Sequence, residues 1–111
     1  MAELIRAVAY ARYSSDNQRE ESIDAQLMAI QRYAVENGFT IVNEYCDRAK
    51  TGTNDNREQF LQMINDAKNG LFDVLIVHKL DRFSRNRYLS AIYRYELDKC
   101  NVSLHSVIEK I

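Results

Sequence analysis

Three short polar segments of this chain carry side chains suited to chemistry on an anion. The first holds Arg12, Ser14 and Ser15, the second Asp47, Lys50, Thr51 and Gly52, and the third Lys79, Asp81, Arg82 and Arg85. Hydroxyls, guanidiniums and a carboxylate together suit phosphoryl transfer. A phosphodiester is anionic, and its transition state gathers charge on equatorial oxygens that arginines can stabilise. The guanidinium fork binds phosphate oxygens in pairs, which the ammonium of lysine cannot do. A serine hydroxyl is a weak nucleophile until a neighbour removes its proton or lowers its pKa. Nearby cations would supply part of that activation. Asp81 would either orient a guanidinium or accept a proton, and the sequence leaves both roles open.

Each of these residues has a plainer reading when taken alone. A serine in a Ser/Asp/Asn-rich stretch usually shapes a turn, and Thr51-Gly52 would be another turn. Arg12 would be a surface ion-pair partner. Asp81 and Arg85, four apart, would make a helix ion pair worth about 0.3–0.5 kcal/mol. His78, at a strand exit, would be a packing residue. What lifts the set above these readings is position: all three segments follow stretches that read as strands. In open α/β sheets, sites form beyond the carboxyl ends of the strands.

The elements that would position them are read from apolar periodicity. Residues 4–10 (LIRAVAY) read as a strand, and 14–21 as a polar loop. Ser22 caps a helix to about residue 36, with Ile23, Leu27, Ile30 and Ala34 as its stripe, Met28 and Tyr33 beside it, and Asn37-Gly38 as its stop. Residues 39–46 (FTIVNEYC) read as the second strand and 47–56 as a polar loop. A helix is expected over 57–69, with Phe60, Ile64 and Ala67 on one face and Gly70 as its stop. The near-continuous apolar run 72–77 (FDVLIV) is that of a parallel strand covered on both faces. A third helix is expected within 84–99, with Leu89, Ile92, Tyr93 and Leu97 as its stripe, and a fourth strand over 102–107. The order β-α-β-α-β-α-β predicts an α/β, three-layer sandwich with a mostly parallel central sheet, helices on both faces and right-handed crossovers.

Bulk properties bound the rest. The chain has 111 residues, enough for one domain spanning 1–111, and no internal repeat, linker or low-complexity segment divides it. No apolar run is long enough to cross a bilayer, and Glu3 and Arg6 interrupt any signal-like N-terminus. A cytoplasmic location with no membrane partner is expected. Cys46 and Cys100 have no metal-ligand spacing and are expected to be reduced, partly buried thiols. The net charge of −1, from 15 basic and 16 acidic residues, argues against a chain that coats DNA by itself. The charge is uneven: Lys79, Arg82, Arg85 and Arg87 face only Asp81 within 79–87, whereas Glu20, Glu21 and Asp24 stand together without a base.

Four segments resemble one family. Tyr10-Ala11-Arg12-Tyr13-Ser14-Ser15 is similar to the Tyr-x-Arg-x-Ser signature of the serine recombinases, the resolvase–invertase family. Ser22-Ile23-Asp24-Ala25-Gln26 is similar to the segment carrying that family's active-site glutamine. Asp47-Arg48-Ala49-Lys50-Thr51-Gly52 resembles its Asp…Ser-Gly loop, followed by an arginine that here is Arg57. Lys79-Leu80-Asp81-Arg82-Phe83-Ser84-Arg85 resembles its Leu-Asp-Arg-x-x-Arg motif. The segments run in the family's order across residues 10 to 85, and they look more like the large serine recombinases, such as phage integrases and transposon recombinases, than the small resolvases. Thr51 stands where serine is commoner, and Tyr13 replaces a small aliphatic residue.

The resemblance implies site-specific recombination of double-stranded DNA through a covalent 5′-phosphoserine. Ser14 would be the nucleophile. Arg12, Arg82 and Arg85 would surround the phosphate with Arg57 close by, Asp81 and Gln26 in support, and Tyr10, Thr51 and Lys79 flanking the DNA phosphate. No metal or other cofactor and no ATP would be needed. The full-length protein would act as a homodimer and a synaptic tetramer. Family members continue past the fourth strand with a long helix and a DNA-binding region. The chain as given is therefore expected to be a truncated catalytic domain, monomeric and inactive by itself. A receiver-like or flavodoxin-like α/β binding module would share the alternation but needs an acidic cluster or a Gly-rich loop, and the three glycines form neither. A tyrosine nucleophile would need an all-helical fold and a His-x-x-Arg pair, whereas His78 and Arg82 are four apart.

Overall fold

Residues 7–11 and 74–77 are buried without a break, because successive side chains of a strand point to opposite faces of the sheet and both faces are covered. The computed structural model describes residues 4–14, 21–49, 57–84 and 86–109. Its elements are β1 (Ile5–Ser14), α1 (Ile23–Asn37), β2 (Phe39–Ala49), α2 (Glu58–Lys68), β3 (Val74–Val77), α3 (Leu80–Phe83), α4 (Arg87–Lys99) and β4 (Ser103–Ser106). The sheet order is β2-β1-β3-β4, and every neighbouring pair is parallel. On one face Ala7, Ala9, Val74 and Ile76 pack against Ile30 and Ala34 of α1. On the other, Val8, Tyr10, Leu75 and Val77 pack against Phe60, Met63 and Ile64 of α2 and Leu97 of α4. This is the α/β sandwich the alternation predicts. No helix among the described residues is long and apolar enough to cross a membrane.

Helix ends follow the sequence closely. The Ser22 side chain accepts from the Ala25 N–H at 3.1 Å and starts α1. Gly38, at φ 74°, ends it in the left-handed conformation that a residue without Cβ adopts at little cost. Asn86 starts α4 by accepting from the Tyr88 and Leu89 N–H groups. Cys46 and Cys100 are half-buried and unpaired with each other.

Three features differ from the sequence reading, and two of them shape the site. Strand β1 continues four residues past the apolar run, through Ala11, Arg12, Tyr13 and Ser14. Its pairing with β3 stops at Tyr10↔Val77, while its pairing with β2 continues to Ser14↔Ala49. The two strands thus project beyond the rest of the sheet as a two-stranded extension, and Ser14 ends a strand rather than lying in a loop. The exit of β3 turns through the one-turn α3 before α4 begins. Finally, the apolar stripe expected on α4 is only partly buried. Leu97 is enclosed and Tyr93 packs on the core, but Leu89 and Ile92 are each 42% exposed. The start of α4, displaced by α3, faces the cleft at the sheet's carboxyl edge instead of the core.

Candidate active site

Tyr10, Arg12 and Ser14 are spaced two apart along β1; the backbone of Tyr10 and Arg12 is held from both sides, and that of Ser14 pairs with β2. Asp47 of β2 lies opposite Arg12 in the register. On the other edge β3 has already ended, and the side chain of Gln26 takes the place of a strand. Its Oε1 accepts from the Arg12 N–H at 3.2 Å, and its Nε2 donates to the Arg12 carbonyl at 2.9 Å. A primary amide offers one acceptor and two donors, so it can pair with a peptide unit as another peptide would. The second Nε2 proton goes to the Glu21 carbonyl at 2.9 Å. Gln26 is fully buried and well satisfied, as a buried amide must be.

Asp47 organises the other side. It is 5% exposed and accepts from the Tyr10 hydroxyl at 2.8 Å and from the N–H groups of Gln59 and Phe60, each at 3.0 Å. The first turn of α2 has no cap from its own N-cap residue, Arg57, so Asp47 supplies one from β2. Burial raises the Tyr10 hydroxyl pKa well above that of a free phenol, with Arg57 opposing the shift. Tyr10 therefore stays a neutral donor.

The guanidinium carbon of Arg57 lies over the Phe60 ring, 3.8 Å from its centroid, and Arg57 donates to the Phe83 carbonyl and, at 3.4 Å, to the Tyr10 hydroxyl. Phe60 meets Tyr10, Phe83 and Tyr93 edge-on and floors this region. Arg82, in α3, is 3% exposed. Its Nη2 lies 3.4 Å from Glu21 Oε2, and its Nε 3.8 Å from Asp81 Oδ1.

These residues border one cleft of about 460 Å³ at the carboxyl edge of the sheet. Arg12, Arg57, Asp81 and Arg82 line it with Ser84 and Asn86, and Phe60, Leu61, Leu89 and Tyr93 form its apolar walls. Three guanidiniums thus come from three separate elements. Such a cleft can hold a phosphodiester and oppose the charge that develops on it. Tyr10 and Gln26 lie beneath and behind it. Lys79 is drawn aside to Glu21, Nζ to Oε1 at 2.9 Å, and does not line the cleft. Thr51 and Arg85 lie outside the described residues, and Ser14 is described by its backbone.

Sequence reasoning missed Glu21 and the capping role of Asp47. Glu21 registered only as part of an acidic run, yet its carboxylate meets Lys79, Arg82 and, at 4.0 Å, His78 Nδ1. The hydrogen bond from Lys79 is the main cause that holds Glu21 at a pKa of about 2, far below the usual carboxylate range. Burial, partly offset by Glu21, pushes the His78 pKa down.

The domain is an open parallel sheet with an arginine-rich cleft at its carboxyl edge, an arrangement that suits chemistry on an anion. A family model, the N-terminal domain of resolvases, matches residues 7–111. The chain belongs to that family and is a serine recombinase catalytic domain. Its fold matches the N-terminal catalytic domain of TP901-1 integrase with a TM-score of 0.82 and 29% identity, covering 96% of this chain and 79% of that one. It also matches a resolvase family site-specific recombinase from Streptococcus pneumoniae, at TM-score 0.80 and 33% identity over 96% and 74% of the two chains. A third match is the C-terminal catalytic domain of ISC1926 TnpA, an IS607-like serine recombinase, at TM-score 0.79 and 27% identity over 96% and 72%. No curated protein sequence matches the chain. The binding-module alternative finds no support in these likenesses.

Proposed function

We propose that this domain cleaves and rejoins double-stranded DNA in site-specific recombination, with Ser14 as the nucleophile. The Ser14 oxygen forms a bond to the scissile phosphorus, and the bond from phosphorus to the 3′ oxygen breaks. The serine proton leaves to an acceptor, and the departing 3′ oxygen takes up a proton. The product is a 5′-phosphoserine ester and a free 3′ hydroxyl. Rejoining reverses these steps, and the ester retains the phosphodiester's energy, so ATP is not needed.

Arg12, Arg57 and Arg82, joined by Arg85, hold the phosphate and oppose its growing charge. Asp81 orients the guanidiniums from the rim. Gln26 keeps the Ser14 strand in place, and Tyr10 supports Arg57. Thr51 flanks the phosphate, and Lys79 acts from outside the cleft through its ion pair with Glu21. In the cell the protein works in the cytoplasm, pairing as a homodimer and bringing two sites together as a tetramer. The observation that carries this reading is the convergence of three guanidiniums on one cleft beside the strand that ends in Ser14.

The test is a nicked duplex bearing the recombination site, on which religation is blocked. The full-length protein should give a covalent protein–DNA band on a denaturing gel, and Ser14→Ala should give none. A band that persists in Ser14→Ala would sink the assignment of the nucleophile.

A further inference from the structure

We propose that Glu21 is a positioning residue that, held at its carbonyl by Gln26, binds Arg82 and Lys79 and so fixes the Arg82 guanidinium in the cleft. This rests on the reading of the cleft as the phosphate site.

The geometry forms a continuous chain. The amide of Gln26 holds the Arg12 backbone and, through its second proton, the carbonyl of Glu21. The Glu21 carboxylate then reaches across the sheet edge to Lys79 at 2.9 Å and Arg82 at 3.4 Å, residues 58 and 61 positions further along the chain. One glutamate therefore ties the end of β1 to the exit of β3. These are the two places from which the nucleophile and Arg82 are delivered.

Burial makes the link consequential. The Arg82 side chain is 4% exposed, and a cation that far from water needs opposing charge and well-directed hydrogen bonds. Asp81 also approaches it, but at 3.8 Å and from the neighbouring position on the same short turn. Glu21 comes from the residues just ahead of α1 and so restrains the guanidinium from a second direction.

Glu21 is not among the residues lining the cleft, whereas Arg82 is. A phosphate entering the cleft thus meets Arg82 from one side while Glu21 holds it from another. This arrangement differs from an internal anion that blocks the site and must leave. Lys79 acts in it through Glu21, as the partner that keeps the carboxylate in place.

The experiment has two readouts. The first is the Arg82 Nε–H signal in nitrogen-15 NMR of this domain, assigned by its loss in Arg82→Lys. In Glu21→Ala and the volume-conserving Glu21→Gln the signal should shift and exchange faster with solvent. Asp24→Ala, which removes a nearby exposed acid, should leave it unmoved. The second is adduct formation by the full-length protein on the nicked duplex at saturating DNA. Glu21→Ala should slow it about 10- to 100-fold, the scale of a misplaced charge-stabilising group, while DNA affinity holds. An unmoved Arg82 signal in both Glu21 variants would overturn the proposal. So would faster adduct formation, which would make Glu21 a competitor of phosphate. So would an equal loss of affinity and rate with a lowered melting temperature, which would make its role purely structural. If the wild type forms no adduct at Ser14, the reading of the cleft fails, and the NMR signal still decides whether the latch exists.

Discussion

At Asp47 one side chain serves three donors, two of them the opening N–H groups of α2. Asp47→Ala removes a helix cap and leaves the buried Tyr10 hydroxyl without its acceptor. The combined cost should be about 2–4 kcal/mol. A scanning calorimeter should record a fall in melting temperature on the order of 10 °C. Tyr10→Phe is the milder change, because Asp47 keeps both backbone donors; it should cost about 1 kcal/mol. Equal losses from the two variants would show that the cap contributes nothing. Neither role was legible in the sequence. Asp47 belongs to a quoted motif, but a cap supplied by a distant strand leaves no local spacing to find. Glu21 was hidden for the same reason, since its partners lie about sixty positions away. Arg12 and Arg82, by contrast, were legible because each sits just past an apolar strand.

The extension of β1 beyond β3 is the element on which the site depends. Its residues are polar, so an apolar run could not reveal it, and periodicity placed Ser14 in a loop. The strand persists there because β2 pairs with one edge and the Gln26 amide with the other. Gln26→Leu keeps most of the volume but removes that second edge. Hydrogen exchange at the Arg12 amide should then quicken strongly, while Ala9, paired within the sheet, stays protected. Unchanged exchange at Arg12 would refute the role assigned to the amide. Helix α3 also escaped the sequence reading, since one turn is too short to show a 3.6-residue period. Its consequence is large: it buries Phe83, delivers Arg82, and sets α4 back so that Leu89 lines the cleft. Phe60, beneath Arg57 and between three other rings, belongs to the legible part. Its place in the apolar stripe of α2 marked it as core, and Phe60→Ala should cost about 3–5 kcal/mol by urea titration.

Across the whole molecule, perturbed acids and histidines act in the same direction with pH. Glu21, Asp73 and Glu109 have lowered pKa values, led by hydrogen bonds from Lys79, Arg6 and Ser106 respectively. Their stabilisation is complete above the unfolded carboxylate range and is lost as pH falls, for Glu21 from about 4.5 down to about 2. His78 and His105 are lowered by burial, so the unfolded chain takes up their protons first as pH drops below 6.5. Stability should therefore decline from neutral pH through two successive acid ranges, as urea midpoints at pH 7, 5 and 3 would show. In Glu21→Gln the lower range should flatten. With a net charge of only −1 the domain offers no broad cationic surface, so its DNA binding should be weak and should fall with added salt. Tight, sequence-specific binding at physiological salt would contradict that. The central claim, that Ser14 carries the DNA, is tested most directly by proteolysis of the trapped adduct and mass spectrometry of the peptide bearing the nucleotide. The expected result is a 5′-phosphate joined to Ser14; attachment at Ser15, at Tyr13 or through a 3′-phosphate would contradict it.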